Sequence, residues 1–224
     1  MESDSKARIA LLAGASGLVG RHLLAQLLES PSYRHVHVLL RRNVAGMPSQ
    51  PKLSIHLVDF DRPSALPAVD DVYIALGTTI KVAGSQAAFR RVDFDAVVNT
   101  ARAARAAGAR RLLVVSALGA DAGSRVFYNR VKGEMQQAVT KLGYESVVIA
   151  QPSLLMGNRA TLGQPLRPGE VWALRLMRPF TSWLSLGVRP IQAEAVARSM
   201  LRAAITCEPG VTMLTSREMQ QKHA

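Results

Sequence analysis

Apolar residues along this chain fall into short, nearly unbroken runs at 8–13, 36–40, 54–58, 72–76, 111–116 and 146–150, rich in Val, Ile and Leu. Several lack the polar alternation of a half-wet strand, the pattern of a parallel sheet covered on both faces. Between them lie segments with helical spacing of apolar positions: 18–29, 87–107 and 128–142, with a poorer one at 62–68. The order β-α-β-α-β-α-β predicts an α/β fold with a doubly wound, mainly parallel sheet. "RVDFDAVVNTARAARAAGARRLLVVSALG" holds one such unit whole, its long helix stopping at Gly108 before a buried strand.

After Pro152 the pattern changes. "LLMGNRATLGQPLRPGEVWALRLMRPFTSWLSLG" mixes prolines, glycines and apolar residues without a sheet period. It predicts loops with a helix at about 169–178, lying over the carboxyl ends of the strands. A helix at 192–206 and a short strand at 211–214 complete the expected fold. No linker or internal repeat divides the chain, so residues 1–224 read as one domain, with about 153–190 forming a small substrate-side cap.

The first strand feeds directly into Gly14-Ala15-Ser16-Gly17-Leu18-Val19-Gly20, at the first strand-to-helix turn. Gly14 would permit the sharp turn, and Gly17 would let the backbone approach a pyrophosphate whose charge the helix start stabilises. Gly20 would allow close helix–strand packing. A glycine turn with no ligand has the same letters. The doubly wound context favours a dinucleotide site, with Ser16, Leu18 and Val19 completing the loop. Where an NAD site usually carries an acid after strand two, "HVHVLLRRN" places Arg41 and Arg42. A guanidinium can fork onto a 2′-phosphate, so NADP(H) is expected in preference to NAD(H), against the alternative of a solvated basic pair. Asp59, in "LVDFD", reads equally well as a contact to the adenine edge and as a turn cap.

Tyr128 and Lys132 stand four apart in "FYNRVKGEMQQAV", hence on one helix face, and Ser116 ends the strand before them. In a hydride-transfer site a tyrosine hydroxyl exchanges the proton on a carbonyl or alcohol oxygen. A nearby ammonium favours the phenolate and can hold a ribose, and a serine can orient the substrate oxygen. A tyrosine–lysine pair at this spacing is also common on ordinary helices.

Together, "GASGLVG", the serine of "VVSALG" and the "YNRVK" pair resemble the short-chain dehydrogenase/reductase superfamily in its atypical or extended form, over essentially the whole chain. "ALGTTIKVAG", "RVDFD", "YNRVKGE", "QPSLLMGNR", "LRPGE" and "VRPI" are similar, in the same order, to a small group within it. That group is typified by a human Tat-interacting, NADPH-binding oxidoreductase-like protein. The resemblance implies a Rossmann-type fold, with Ser116 orienting substrate, Tyr128 as acid/base and Lys132 as its partner. It further implies that Gly77, Thr78 and Thr79 line the cofactor and that Pro152, Ser153 and Leu154 border the nicotinamide. Two departures stand out. Asp93 occupies the position where the superfamily often has a catalytic Asn, while Asn99 is displaced toward a packing or capping role. Only about 70 residues follow Pro152, which favours a small carbonyl substrate over a bulky nucleotide sugar.

Charge and composition narrow the alternatives. The net charge of +12 would attract polyanions, but the basic residues are dispersed, and two Trp and four Tyr offer little stacking surface, so nucleic acid is not the expected partner. The scattered histidines (22, 35, 37, 56 and 223) lack carboxylate or cysteine neighbours at ligand spacing, and no metal is expected. Ser116 lacks the glycine pattern of a nucleophile elbow, which argues against a hydrolase. No stretch has the length and apolarity of a membrane span, and the apolar run at the N-terminus is too short for a signal peptide. Cys207, the single cysteine, excludes an internal disulfide and fits a reducing compartment; the expected location is cytoplasmic. Trp172 and Trp183 read as packing or as a substrate wall. The leading function is NADP(H)-dependent oxidation or reduction of an unidentified small carbonyl or alcohol. The rival is a cofactor-sensing protein with little turnover. A homodimer is compatible with either.

Overall fold

β1 (Arg8–Ala13) shows why the apolar runs are unbroken: Ala10 and Leu12 enter one hydrophobic layer, Leu11 and Ala13 the other, and all four are fully buried. The computed structural model describes residues 7–63, 65–156, 188–206 and 208–221. β1 is followed by β2 (Tyr33–Leu40), β3 (Leu53–Leu57), β4 (Asp71–Ile74), β5 (Arg111–Val115) and β6 (Ser146–Gln151). These join β9 (Gly210–Thr215) in a seven-stranded sheet of order β3-β2-β1-β4-β5-β6-β9, with every neighbouring pair parallel. The chain winds outward one way from β1 and the other way from β4, so the topological switch lies between them. A short parallel pair, β7 (Leu155–Met156) and β8 (Ile191–Gln192), ties together the two ends of the intervening segment.

α1 (Leu18–Glu29) and α6 (Ala193–Thr206) cover one face, inserting Val19, Leu23, Leu27, Val196 and Met200 at helical spacing. On the other face α4 (Val97–Ala106) and α5 (Phe127–Thr140) supply Val97, Ala101, Met135 and Val139. Each buried Val, Leu or Met among these contributes on the order of 1.5–3 kcal/mol, and Ala101 about 1 kcal/mol or less, which makes this two-sided packing the main support of the sheet.

The segment expected as one helix over 87–107 is helical without a break from Gln86 to Ala106, with a π-helical turn inside it and a separate short helix before it. α2 (Ile80–Ala83) and α3 (Gln86–Arg90) are capped by the Thr79 and Ser85 side chains, and Gly84 between them is left-handed. A π-helical turn over Arg91–Ala96 then joins α3 to α4. Its wider winding carries Asp93 to the inside, where it is 1% exposed. The poorer helix expected at 62–68 is absent among the described residues. Pro63 and Pro67 each remove a backbone donor and push the preceding residue out of the helical region. The remaining predicted elements fall within a few residues of their expected bounds. The expected helix at 169–178 lies outside the described residues, as do Trp172, Trp183, Cys207 and most of the expected cap.

At the amino ends of the strands, Asp71 is completely buried between Arg8 and Arg111, which approach its two oxygens at 2.9 and 2.8 Å. The Tyr33 hydroxyl donates to the same carboxylate and contacts the Tyr73 hydroxyl at 2.8 Å. This cluster pins β1, β2, β4 and β5 at the end of the sheet opposite the glycine loop. No described helix is long and apolar enough to cross a membrane.

Candidate functional site

Where β1 and β4 part at their carboxyl ends, the glycine loop is compressed to a degree only glycine tolerates. Gly14 has φ +94°, and a Cβ there would lie 2.5 Å from the Ala75 carbonyl oxygen. A Cβ on Gly20 would lie 2.0 Å from the Gly14 carbonyl oxygen. These two glycines therefore shape the loop against β4 and against α1. Gly17 is the N-cap of α1 and offers no side chain to the first turn. The opening backbone N–H groups of that helix have no intrahelical acceptor, and the turn carries no acidic residue to compete for them.

Gly17, Leu18 and Val19 form one wall of a cleft of about 600 Å³. Gly77, Thr78 and Thr79 line it after β4, Asp93, Ser116, Tyr128 and Lys132 line its middle, and Pro152, Ser153 and Leu154 line it after β6. The structure thus brings together Gly17–Val19, Gly77–Thr79, Ser116, Tyr128, Lys132 and Pro152–Leu154 of the sequence-predicted site, whereas Arg41, Arg42 and Asp59 do not line the cleft. Gly14, Ser16 and Gly20 are not part of the wall. Arg41 and Arg42 are exposed immediately beyond β2. Asp59 is also exposed, and its Oδ1 accepts the Asp61 N–H at 2.9 Å, closing a local turn. Asn99 donates to the Asp61 carbonyl at 3.0 Å, a packing contact away from the cleft.

α5 sets the reactive side chains. Tyr128 and Lys132 lie one turn apart, and Gln136 continues the same face. Gln136 Nε2 donates to Ser116 Oγ at 2.6 Å, joining helix to strand end. The Tyr128 ring packs on fully buried Phe89, with centroids 5.4 Å apart. Gly133 brings the loop before α5 into contact with the helix: a Cβ there would lie 2.1 Å from the Ala122 nitrogen. Lys132 Nζ lies 2.7 Å from Asp93 Oδ1, with both side chains essentially sealed from solvent. Asp93 Oδ2 accepts the Thr78 N–H at 2.8 Å. Beyond β6, Ser153 Oγ donates to the Arg189 carbonyl at 2.5 Å and meets Ser216 Oγ at 3.0 Å, so its hydroxyl belongs to a structural network at the cleft edge.

Sequence reasoning missed Gln136, Phe89 and Gly133. Gln136 carries a usable signal, since it extends the Tyr128–Lys132 spacing by one further turn. Phe89 and Gly133 act through tertiary contacts that the sequence does not display.

The residues fit a dinucleotide. A helix start suited to an anion stands at one side of the cleft and an ammonium with two hydroxyl side chains at the other. Between them Gly77 lies against the buried pair: a Cβ there would meet Asp93 Oδ1 at 3.4 Å and Lys132 Nζ at 4.0 Å, ordinary contact distances.

Comparison with known proteins agrees with this geometry. The profile of the NAD(P)H-binding family matches residues 14–154. The mitochondrial protein fmp52 of Aspergillus fumigatus is 34% identical over 215 residues, covering 91% of this chain and 89% of its own. The fmp-52 protein of Neurospora crassa, also named mitochondrial, is 31% identical over 212 residues, with 89% and 86% covered. Among solved structures, a short-chain dehydrogenase/reductase-family oxidoreductase from Burkholderia thailandensis aligns with TM-score 0.67 and 19% identity, over 93% of this chain and 90% of that one. MoeE5 in complex with UDP-glucose and NAD aligns with TM-score 0.68 and 18% identity, over 92% and 74%. The structural matches establish the Rossmann-like fold. The mitochondrial relatives overturn the cytoplasmic expectation: a single unpaired cysteine fits any reducing compartment, so it could not identify that one. The chain belongs to the NAD(P)H-binding family and, within it, groups with the mitochondrial FMP52 proteins.

Proposed function

We propose that this protein is an NADP(H)-dependent oxidoreductase of the short-chain dehydrogenase/reductase type, acting on a small carbonyl compound or the corresponding alcohol. The observation that carries this reading is the convergence of Ser116, Tyr128 and Lys132 on the same cleft as the glycine-bounded start of α1. In this reading the α1 backbone N–H groups hold the pyrophosphate, and Lys132 holds the nicotinamide-side ribose. Arg41 and Arg42 pair with the 2′-phosphate and set the preference for NADP(H). The motif resemblance to the Tat-interacting, NADPH-binding group supports the same preference. The bound nicotinamide supplies or accepts the hydride.

The chain's own residues perform the rest. Ser116 accepts from Gln136 and therefore keeps its own O–H to donate to the substrate oxygen. Tyr128 gives a proton to that oxygen in reduction and takes it back in oxidation, its ring braced by Phe89. Leu118, Leu154 and Val188 add apolar surface to the cleft for the non-reacting part of a small substrate. The mitochondrial names of the relatives point to the mitochondrion as its location.

Replacing Tyr128 with Phe tests the reading. NADPH affinity unchanged with carbonyl reduction lost by at least about a hundredfold is the expected result. A wild-type protein that binds NADPH tightly yet reduces no member of a broad aldehyde and ketone panel would favour the cofactor sensor.

A further inference from the structure

Asp93 is buried in the cleft wall at the position where the superfamily often carries an asparagine, and its two oxygens serve different elements. Oδ1 meets the Lys132 ammonium from α5 at 2.7 Å, and Oδ2 accepts the Thr78 N–H from the wall after β4 at 2.8 Å. Sealing both charges from water is costly unless each is paired and hydrogen-bonded, as both are here. A carboxamide could not replace this arrangement. It has one acceptor oxygen, and its NH₂ would face either the ammonium or the Thr78 N–H, donor against donor.

We infer that Asp93 is a positioning residue: it ties the Lys132 ammonium to the Thr78 backbone and so fixes the spacing of the two cleft walls. The local structure is arranged around this tie. The π-helical turn at Arg91–Ala96 carries the carboxylate inward. Asp93 acts through Lys132 and not on substrate. The inference rests on the proposed role of Lys132 in holding the cofactor, and the experiment separates the two.

The test is a double-mutant cycle with Asp93→Asn, Lys132→Met, the double variant and the wild type. NADPH affinity is measured by calorimetry, and the thermal midpoint is measured without cofactor. Asp93→Asn is expected to weaken NADPH binding about tenfold beside Lys132, but no more than about twofold in the Lys132→Met background. A general packing role would give the same loss in both backgrounds, and that result would overturn the inference. If wild type binds no NADPH, the cofactor reading fails while the tie is still read from the midpoints. A drop on Asp93→Asn that disappears when Lys132 is also replaced supports it, and additive drops overturn it. Should Asp93→Asn alone fail to fold, recovery of folding in the double variant supports the tie, and no recovery counts against it.

Discussion

Gln136 Nε2 donates to Ser116 Oγ at 2.6 Å, so the proposed substrate-orienting hydroxyl is itself oriented from the helix that carries Tyr128 and Lys132. Gln151 Nε2 donates to Gln136 Oε1 at 3.5 Å, extending the link toward the end of β6. Removing the amide should leave Ser116 free to rotate while the cofactor side of the cleft is unaltered. Gln136→Leu is therefore expected to lower kcat by about tenfold and to leave NADPH affinity within about twofold. Steady-state kinetics beside calorimetric titration check this split; an equal loss in both would place Gln136 in general packing.

The Asp71 cluster makes a second prediction, about stability. The carboxylate is completely buried and neutralised by Arg8 and Arg111. Asp71→Ala would leave both cations without their shared partner and should cost about 3–5 kcal/mol. Urea unfolding measures the loss. Because the cluster lies at the opposite end of the strands from the cleft, NADPH affinity of the folded fraction should not change.

Acid should weaken the protein through a histidine ladder on β2 and β3. His37 Nδ1 and His56 Nε2 are 2.9 Å apart, and the His35 ring packs at a tilt against His37 with ring centroids 4.7 Å apart. Burial, followed by the neighbouring His35 and His56, pushes the His37 imidazole down to about 4, and burial with His35 lowers His56 as well. The unfolded chain takes up these protons near the ordinary value of about 6.5, while the folded chain resists them. Stability is thus complete above that value and is lost progressively as pH falls from about 6.5 to about 4. The His37 share should be on the order of 1 kcal/mol, since water screens the partly exposed ring. Chemical denaturation at pH 7 and pH 5 should show the loss in wild type and a smaller one in His37→Gln; equal losses would contradict it.

The sheet was legible in the sequence because a strand buried on both faces must be apolar at consecutive positions, and β1, β5 and β6 are. The glycine loop was legible for a similar reason: Gly14 and Gly20 face backbone atoms at distances that exclude any Cβ. The π-helical turn was not, since "RVDFDA" carries the same apolar and polar letters an α-helical turn would. Asp93 could be aligned from the sequence, but its pairing with Lys132 depends on that turn and on its packing against α5 on the same face of the sheet. Asp59 illustrates the opposite limit: the letters of "LVDFD" do not say whether its carboxylate caps a turn, and the structure shows that it does.

The proposed NADP(H) site lies in the cleft at the β1–β4 switch, with Arg41 and Arg42 beyond β2 as partners of the 2′-phosphate. The most direct measurement is calorimetric titration of the wild type and an Arg41→Ala/Arg42→Ala variant with NADPH and with NADH. Micromolar NADPH binding, at least about tenfold weaker NADH binding, and convergence of the two affinities in the variant are the predicted result. No binding of either nucleotide to the wild type would contradict the account at its foundation.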